Sequence, residues 1–484
     1  MNNRIKFFSP LRNETNLFFL SGFFVYTFAS SLRHFWFQSS SWDLGIFDQA
    51  IYLISQGESP FSTLLGFHIL GDHGALVLYP IGYLSIIFNS TYFLFFLQGI
   101  ALSSSIFPLE KISKFNKLNQ NSVRASFLVF LMYPVVFNIS IFDFHPEVLA
   151  LPLVLDIFVS LKINKINPLW KLFLKIFFIL TCKITNSFIV FGLGTWLITK
   201  RSYKLGLSIL LTALLWFYFI ANKLIPYFGG ESSSIIRQAG KFGIERELLT
   251  YDINSLFIII KRLLIQLFDI SNLEYLLLLT LPIIYLLMHR DRLNILTNLI
   301  PFSPLLFLNL VSNISPMKDL VHQYSLFIVP FLSVSVIESL GSSNSALIKY
   351  PVWFQSKAPK FIMLWSIFTF LIFSRFTFFF GHFHTHFDSF TSRKEAISMI
   401  RPSSSILTTN DLVPHLSRRK SIRFTDSISI TNFNDFDEIL LDLKKPGWRS
   451  TLNNVDNIYS KLNSSNLWNK RYEKDGIVLF SSKD

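Results

Sequence analysis

The chain has 484 residues, 51% hydrophobic and 17% aromatic, with 55 phenylalanines and only 15% charged side chains. Soluble domains carry roughly 25% charged residues, and the apolar residues here gather into long blocks such as Leu17–Phe37 and Ser126–Phe142. Disordered chains, collagen-like fibres, disulfide scaffolds and ordinary cytosolic enzymes are thereby excluded, leaving a polytopic α-helical membrane protein. Cys182, the single cysteine, lies in an apolar block and permits no intramolecular disulfide. The net charge is +14. Many basic residues sit in short connections between apolar blocks, a pattern that suits phospholipid headgroups and not nucleic acid.

Crossing the hydrocarbon takes about 20 apolar residues, which predicts about eleven spans. They fall near 16–37, 91–109, 123–142, 146–162, 169–183, 186–200, 204–225, 273–289, 293–312, 320–340 and 360–380. The short segments 169–183 and 186–200 are either two spans or one broken hairpin. The apolar run 74–88 begins beside Asp72 and His73 and reads as interfacial or re-entrant. A cytoplasmic amino terminus (Arg4, Lys6, Arg12) satisfies the positive-inside rule. It places Lys111–Arg124, Lys162–Lys171, Lys200–Lys204, His289–Arg292 and Lys349–Lys360 inside. The outer face then holds loop 38–90, the Asp143–Glu147 turn, loop 226–272, the Ser312–Asp319 turn and everything after 381. The first apolar block is too long for a cleavable signal peptide.

Residues 1–380 therefore form the transmembrane part, and 381–484 lose the long apolar blocks. Short helices are expected over Arg393–Ile400, Leu412–Ser417 and Asn453–Leu462. Strands are expected over Ser405–Thr409, Ser421–Thr425, Glu438–Leu443 and Gly476–Phe480. The alternation predicts a small α/β domain outside the cytoplasm.

Ionisable groups near a bilayer are costly, so each is a functional candidate. In loop 38–90, Ile46, Phe47, Ala50, Ile51 and Ile54 fall at helical spacing and predict an amphipathic interfacial helix. Asp43 stands where a helix cap would, and Gly57 where a stop would. Asp43 is thus either a cap or a carboxylate held at the membrane surface as a general base. Asp48 lies roughly 140° from it around a helix, so the two do not share a face. Gly66-Phe-His-Ile-Leu-Gly-Asp-His-Gly74 offers His68, Asp72 and His73 for phosphate or metal, or as ordinary loop polarity. In Phe142-Asp-Phe-His-Pro-Glu147, Pro146 disfavours helix at His145. In an extended break Asp143, His145 and Glu147 point to one side, a set that suits a divalent cation, a proton relay or simple helix capping. Lys183 and His322 sit near the outer ends of spans. His382, His384 and His386 offer a metal clip without a specific zinc spacing.

These residues resemble the domain-of-unknown-function 2079 family of bacterial and archaeal membrane proteins over nearly the whole chain. The resemblance rests on Trp42-Asp-Leu-Gly-Ile-Phe-Asp-Gln-Ala50, Leu70-Gly-Asp-His73, Phe142-Asp-Phe-His-Pro-Glu147, His322-Gln-Tyr324, Asn410-Asp-Leu-Val-Pro-His-Leu-Ser417 and Ile439-Leu-Leu-Asp-Leu443. One departure is Lys183-Ile-Thr185, where relatives are expected to carry Lys-Glu-Asp. The family in turn looks like the type C glycosyltransferases, in a first span, a long outer loop with an interfacial acidic helix, many further spans and an outer domain. The resemblance implies a polyprenyl-phosphate sugar donor and an acceptor that is a glycan, lipid or protein, with Asp43 as catalytic base. Asp48, His68, Asp72, His73, Lys183 and His322 would contact substrate in that picture. Asp143, His145 and Glu147 would complete the pocket or hold a divalent cation. The expected location is the bacterial plasma membrane. Two rival readings remain at this stage: a transporter or flippase, and a non-catalytic assembly or sensor protein that presents its outer domain. A transporter predicts midplane polar residues and paired broken helices, whereas these clusters gather at one face.

Overall fold

The computed structural model describes residues 8–165, 168–229, 239–244, 247, 253–288, 292–341, 352–377, 380–381, 383–384, 387–426 and 433–483. Arg4, Lys6, His289, Arg290 and Lys349 of the charge pattern lie outside these residues.

Helices dominate up to residue 373. Among the described residues, four are long and apolar enough to cross a membrane: Arg12–Phe35, Tyr92–Phe115, Tyr203–Gly229 and Ile270–Leu287. Two bent pairs raise the number to six, Gln120–Leu131 with Pro134–Ile141 at 44° and Ser315–Ser325 with Ile328–Gly341 at 67°. The first bend has a local cause, because Pro134 opens a new helix after extended Tyr133. Other apolar segments form shorter helices, Leu151–Lys162, Leu169–Cys182 and Asn186–Thr199 among them. The pair 169–183 and 186–200 resolves into two separate helices joined at Lys183–Thr185. Packing uses small residues where backbones meet. A Cβ on Gly194 would stand 2.8 Å from the Gly206 carbonyl oxygen, so helix Asn186–Thr199 lies directly on Tyr203–Phe219.

Loop 38–90 contains a two-residue antiparallel pair, β1 (Phe61–Ser62) and β2 (Phe67–His68). The carboxy-terminal unit is a mixed sheet of β3 (Ile406–Thr408), β4 (Ile422–Phe424), β5 (Glu438–Asp442), β6 (Trp468–Lys474) and β7 (Ile477–Ser482), ordered β4-β3-β5-β7-β6. β3 runs parallel to β4 and β5, and β7 runs antiparallel to β5 and β6. The expected strands and the helices near 393–400, 412–417 and 453–462 are all present. β6 was not expected: all but Trp468 of its residues are polar, and most of the strand is exposed at the sheet edge. It joins β7 through Asp475-Gly476, both at positive φ, the conformation a tight hairpin requires.

Strand alternation decides how this sheet docks. Leu407, Ile439, Leu441, Val478 and Phe480 face helix Leu452–Ser464 and form a core of their own. Their neighbours Ile406, Ile422, Phe424, Leu440, Ile477 and Leu479 share one core with Leu44, Ile46 and Phe47 of loop 38–90. One face of the sheet is thus packed into the helical part of the protein.

Candidate functional site

Ser40 caps the interfacial helix, its side chain accepting from the Trp42 N–H at 3.2 Å. A π-turn over Ser41–Gly45 leads into helix Ile46–Ser55, which ends at Gln56 and at Gly57 with φ 71°. Asp43 is therefore inside the first turn and is not the cap. Its side chain stays 27% exposed, with Oδ1 3.7 Å from His145 Nε2. That is ion-pair distance and longer than a hydrogen bond.

His145 is placed by the break between helices. Asp143 takes a left-handed φ of 67°, and Pro146–Ala150 forms a 3-10 turn. The expected extended alternation is thereby lost, and the three acid–base residues diverge to separate partners. Asp143 pairs with Arg33 and accepts from the Ser40 N–H at 2.9 Å. His145 faces Asp43, and Glu147 Oε1 pairs with Lys183 Nζ at 2.6 Å. Gln98 pins the break: its amide donates to the Asp143 carbonyl at 2.8 Å, and its Oε1 accepts from the His145 N–H at 3.1 Å. His145 is 2% exposed, yet among the described residues neither ring nitrogen has a hydrogen-bond partner, and Glu147 Oε2 also lacks one.

A cavity of about 230 Å³ adjoins this group. Asp72, His73, Glu147, Lys183, Lys241 and Tyr324 supply its ionisable lining, while Phe188, Phe217, Ile225, Leu305, Leu308 and Phe327 supply much of the apolar part. The backbone holds its two loops together: Ile184 N–H donates to the His73 carbonyl and Val77 N–H to the Thr181 carbonyl, both at 3.1 Å. His73 lies 3.4 Å from Asp72. Lys183 is nearly buried, and its ammonium lies 5.9 Å from the Tyr324 ring centroid. Its carboxylate partner comes from Glu147, while Ile184 and Thr185 line the cavity instead of an acidic pair. His322 pairs with Asp319 at 2.6 Å and packs edge-on against Phe142, whose ring also stacks with His145.

Burial pushes the Asp43 carboxyl up, but His145, with Lys183 and His322 beyond it, outweighs that and holds it below the usual carboxylate range. Burial likewise lowers the His145 imidazole, and the facing Asp43 more than restores it, leaving it above its ordinary value. Each partner thus favours the charged form of the other.

Two of the sequence candidates stand apart. Asp48 is fully buried and saturated: it accepts from Thr91 at 2.8 Å and Ser417 at 2.7 Å, and it pairs with Arg418 at 2.8 Å. His68 accepts from the Leu70 N–H at 3.2 Å and stacks on Phe228 at 4.2 Å. His382 and His386 lie outside the described residues. Among those described, no group of three or more His, Cys, Asp or Glu side chains is placed to hold a metal ion. Arg33, Gln98, Lys241 and Tyr324 escaped the sequence reading. Only Arg33 and Tyr324 left a signal, the first as a cation at the end of an apolar span and the second inside a quoted motif.

The geometry defines a chain of apolar helices with an acid–histidine pair whose neighbour Glu147 lines a cation-bearing, largely apolar cavity. The chain belongs to the DUF2079 family, whose model, described as "Predicted membrane protein (DUF2079)", matches residues 33–479. The fold is shared with ArnT from Cupriavidus metallidurans, whose crystal structure is bound to undecaprenyl phosphate. The TM-score is 0.55 at 8% identity, with 97% of this chain and 98% of that chain covered. No protein of curated function matches the sequence.

Proposed function

We propose that the protein is an integral membrane glycosyltransferase of type C architecture that uses a polyprenyl-phosphate sugar at the outer face of a bacterial plasma membrane. The observation that carries this reading is Asp43. It is a part-exposed carboxylate that faces the buried imidazole of His145, and Glu147, two residues on from that histidine, lines a cavity of apolar walls and lysines. The fold shared with a protein that binds undecaprenyl phosphate supports the same class of donor.

In this mechanism Asp43 takes the proton of an acceptor hydroxyl as its oxygen attacks the anomeric carbon. The bond from that carbon to the phosphate oxygen breaks, and the polyprenyl phosphate leaves with the electron pair. Lys183 and Lys241 face the departing phosphate, and the apolar wall takes the start of the lipid chain. His145 holds Asp43 ionised and aimed, and the pair closes to hydrogen-bond length when substrate excludes water. Helices 1–380 carry the site, and the unit 381–484 lies on the same outer side. One face of its sheet is packed into the helical part, which weighs against a freely presented sensor domain.

The test is purified full-length protein in nanodiscs with radiolabelled polyprenyl-phosphate hexoses and pentoses and an extract of host membranes. Transfer of label from at least one donor is expected. Intact protein that transfers none across the panel contradicts the reading.

A further inference from the structure

The carboxy-terminal unit brings a loop to the edge of the Asp43 helix that the mechanism above does not use. Gly447 sits at φ 94°, where a Cβ would be 2.2 Å from Asp411 Oδ1, so the loop is pressed onto Asn410–Asp411. Ser450 fixes its far end, its hydroxyl oxygen accepting from the Asn410 N–H at 3.0 Å and from the Thr425 hydroxyl at 2.9 Å. Between these anchors Trp448 is 71% exposed. Its indole N–H donates to Ser40 Oγ at 3.3 Å, the same oxygen that caps the Asp43 turn. The Arg449 guanidinium lies 4.1 Å from the Trp42 ring centroid, 5.1 Å from that of Trp448 and 5.5 Å from that of Phe424. Among the described residues it makes no ion pair with any carboxylate and no hydrogen bond.

A tryptophan that only anchors a protein at a membrane interface turns its N–H toward headgroups and water. Trp448 turns that edge inward, so what it offers to solvent is π surface. The adjoining guanidinium is held by rings and keeps its planar fork for an incoming anion. An aromatic face beside a fork for a carboxylate or phosphate is the chemistry that grips a sugar ring carrying an acidic group.

We infer that Trp448 and Arg449 form a binding platform for an acidic carbohydrate next to Asp43. Its assignment as the acceptor subsite rests on the transferase reading; the binding itself does not. Trp42, one residue before the proposed base, makes the physical connection, because Arg449 stacks on it.

The test is equilibrium binding of a labelled oligogalacturonide, a labelled sugar phosphate and a neutral dextran oligosaccharide to the full chain in zwitterionic nanodiscs. One of the acidic probes is expected to bind saturably, and the neutral probe much more weakly. Arg449→Gln should weaken that acidic binding about tenfold or more, and Arg449→Lys should recover only part of it. Trp448→Ala should weaken it further, with thermal unfolding unchanged. No saturable acidic binding by wild type, or equal affinity in wild type and Arg449→Gln, overturns the inference. So does an effect of Arg449 seen only as attachment to anionic phosphatidylglycerol nanodiscs, which would make the group a headgroup anchor. Binding without transfer would leave this platform standing and sink only the transferase reading.

Discussion

Two carboxylates five residues apart on the interfacial helix have opposite surroundings. Asp48 has every bond it can use: Thr91 from the helical part, Ser417 and Arg418 from the carboxy-terminal unit, with no exposed surface. Asp43 has a histidine at 3.7 Å, part of its surface open, and buried neighbours whose hydrogen bonds are unfilled. A fully bonded, fully buried carboxylate acts as a joint between elements, whereas a part-exposed carboxylate facing a buried histidine is open to a substrate. The region around Asp48 holds two parts of the chain together, as do Ser41 with Asn410 at 2.6 Å and Thr63 with Ile422. The region around Asp43 is held in place by that joint.

Several substitutions would break or sharpen this contrast. The largest stability effect is expected from Lys183→Met, which leaves Glu147 buried and unpaired and should cost about 3–5 kcal/mol. Adding Glu147→Leu should recover most of the unfolding temperature without recovering transfer. Arg418→Ala should cost about 2–3 kcal/mol by stranding Asp48, read as earlier thermal unfolding, with transfer by the remaining folded protein nearly intact. His145→Gln should lower transfer about tenfold with little change in stability. In wild type the rate should fall as pH rises through the elevated His145 pKa, and in the variant that limb should vanish.

The smallest effect concerns Asp411. Burial raises its carboxyl to about 6, with Asn410 and Arg393 only partly opposing the shift. The neutral acid is the form favoured in the folded state. Its contribution is therefore full below about pH 4, the unfolded value, and is lost as pH rises through about 6. Asp411→Asn should raise stability at pH 7 by about 1 kcal/mol and change it little at pH 4. A variant less stable at pH 7 would contradict this.

Much of this contrast was legible in the chain, and the part that was not has a physical reason. Apolar blocks announced helices, and strand runs such as Glu438–Asp442 announced the sheet, because burial on both faces leaves a continuous apolar signature. The clusters at 43, 72–73, 143–147, 183 and 322 were visible as rare ionisable residues in an apolar sequence. Their pairing was not. Asp43 with His145, and Lys183 with Glu147, depend on a left-handed residue at 143 and on backbone ties between 73 and 184. Gln98 sat unmarked inside an apolar helix, since one amide carries no periodic signal. Asp48 resembled Asp43 in sequence, and only its partners some 370 positions away, such as Arg418, separate the two. The count of spans also outran the long helices, because breaks such as the one at Pro134 divide apolar sequence without changing its composition.

The most direct test of the central claim is the transfer rate of Asp43→Asn and Asp48→Asn, measured side by side with their thermal unfolding. Asp43→Asn is expected to lose about 10²-fold or more in rate while unfolding like wild type. Asp48→Asn should unfold earlier and keep its rate within about tenfold, since its carboxylate is fully buried against Thr91, Ser417 and Arg418. Equal transfer by Asp43→Asn and wild type, or the reverse order of the two variants, would contradict the account.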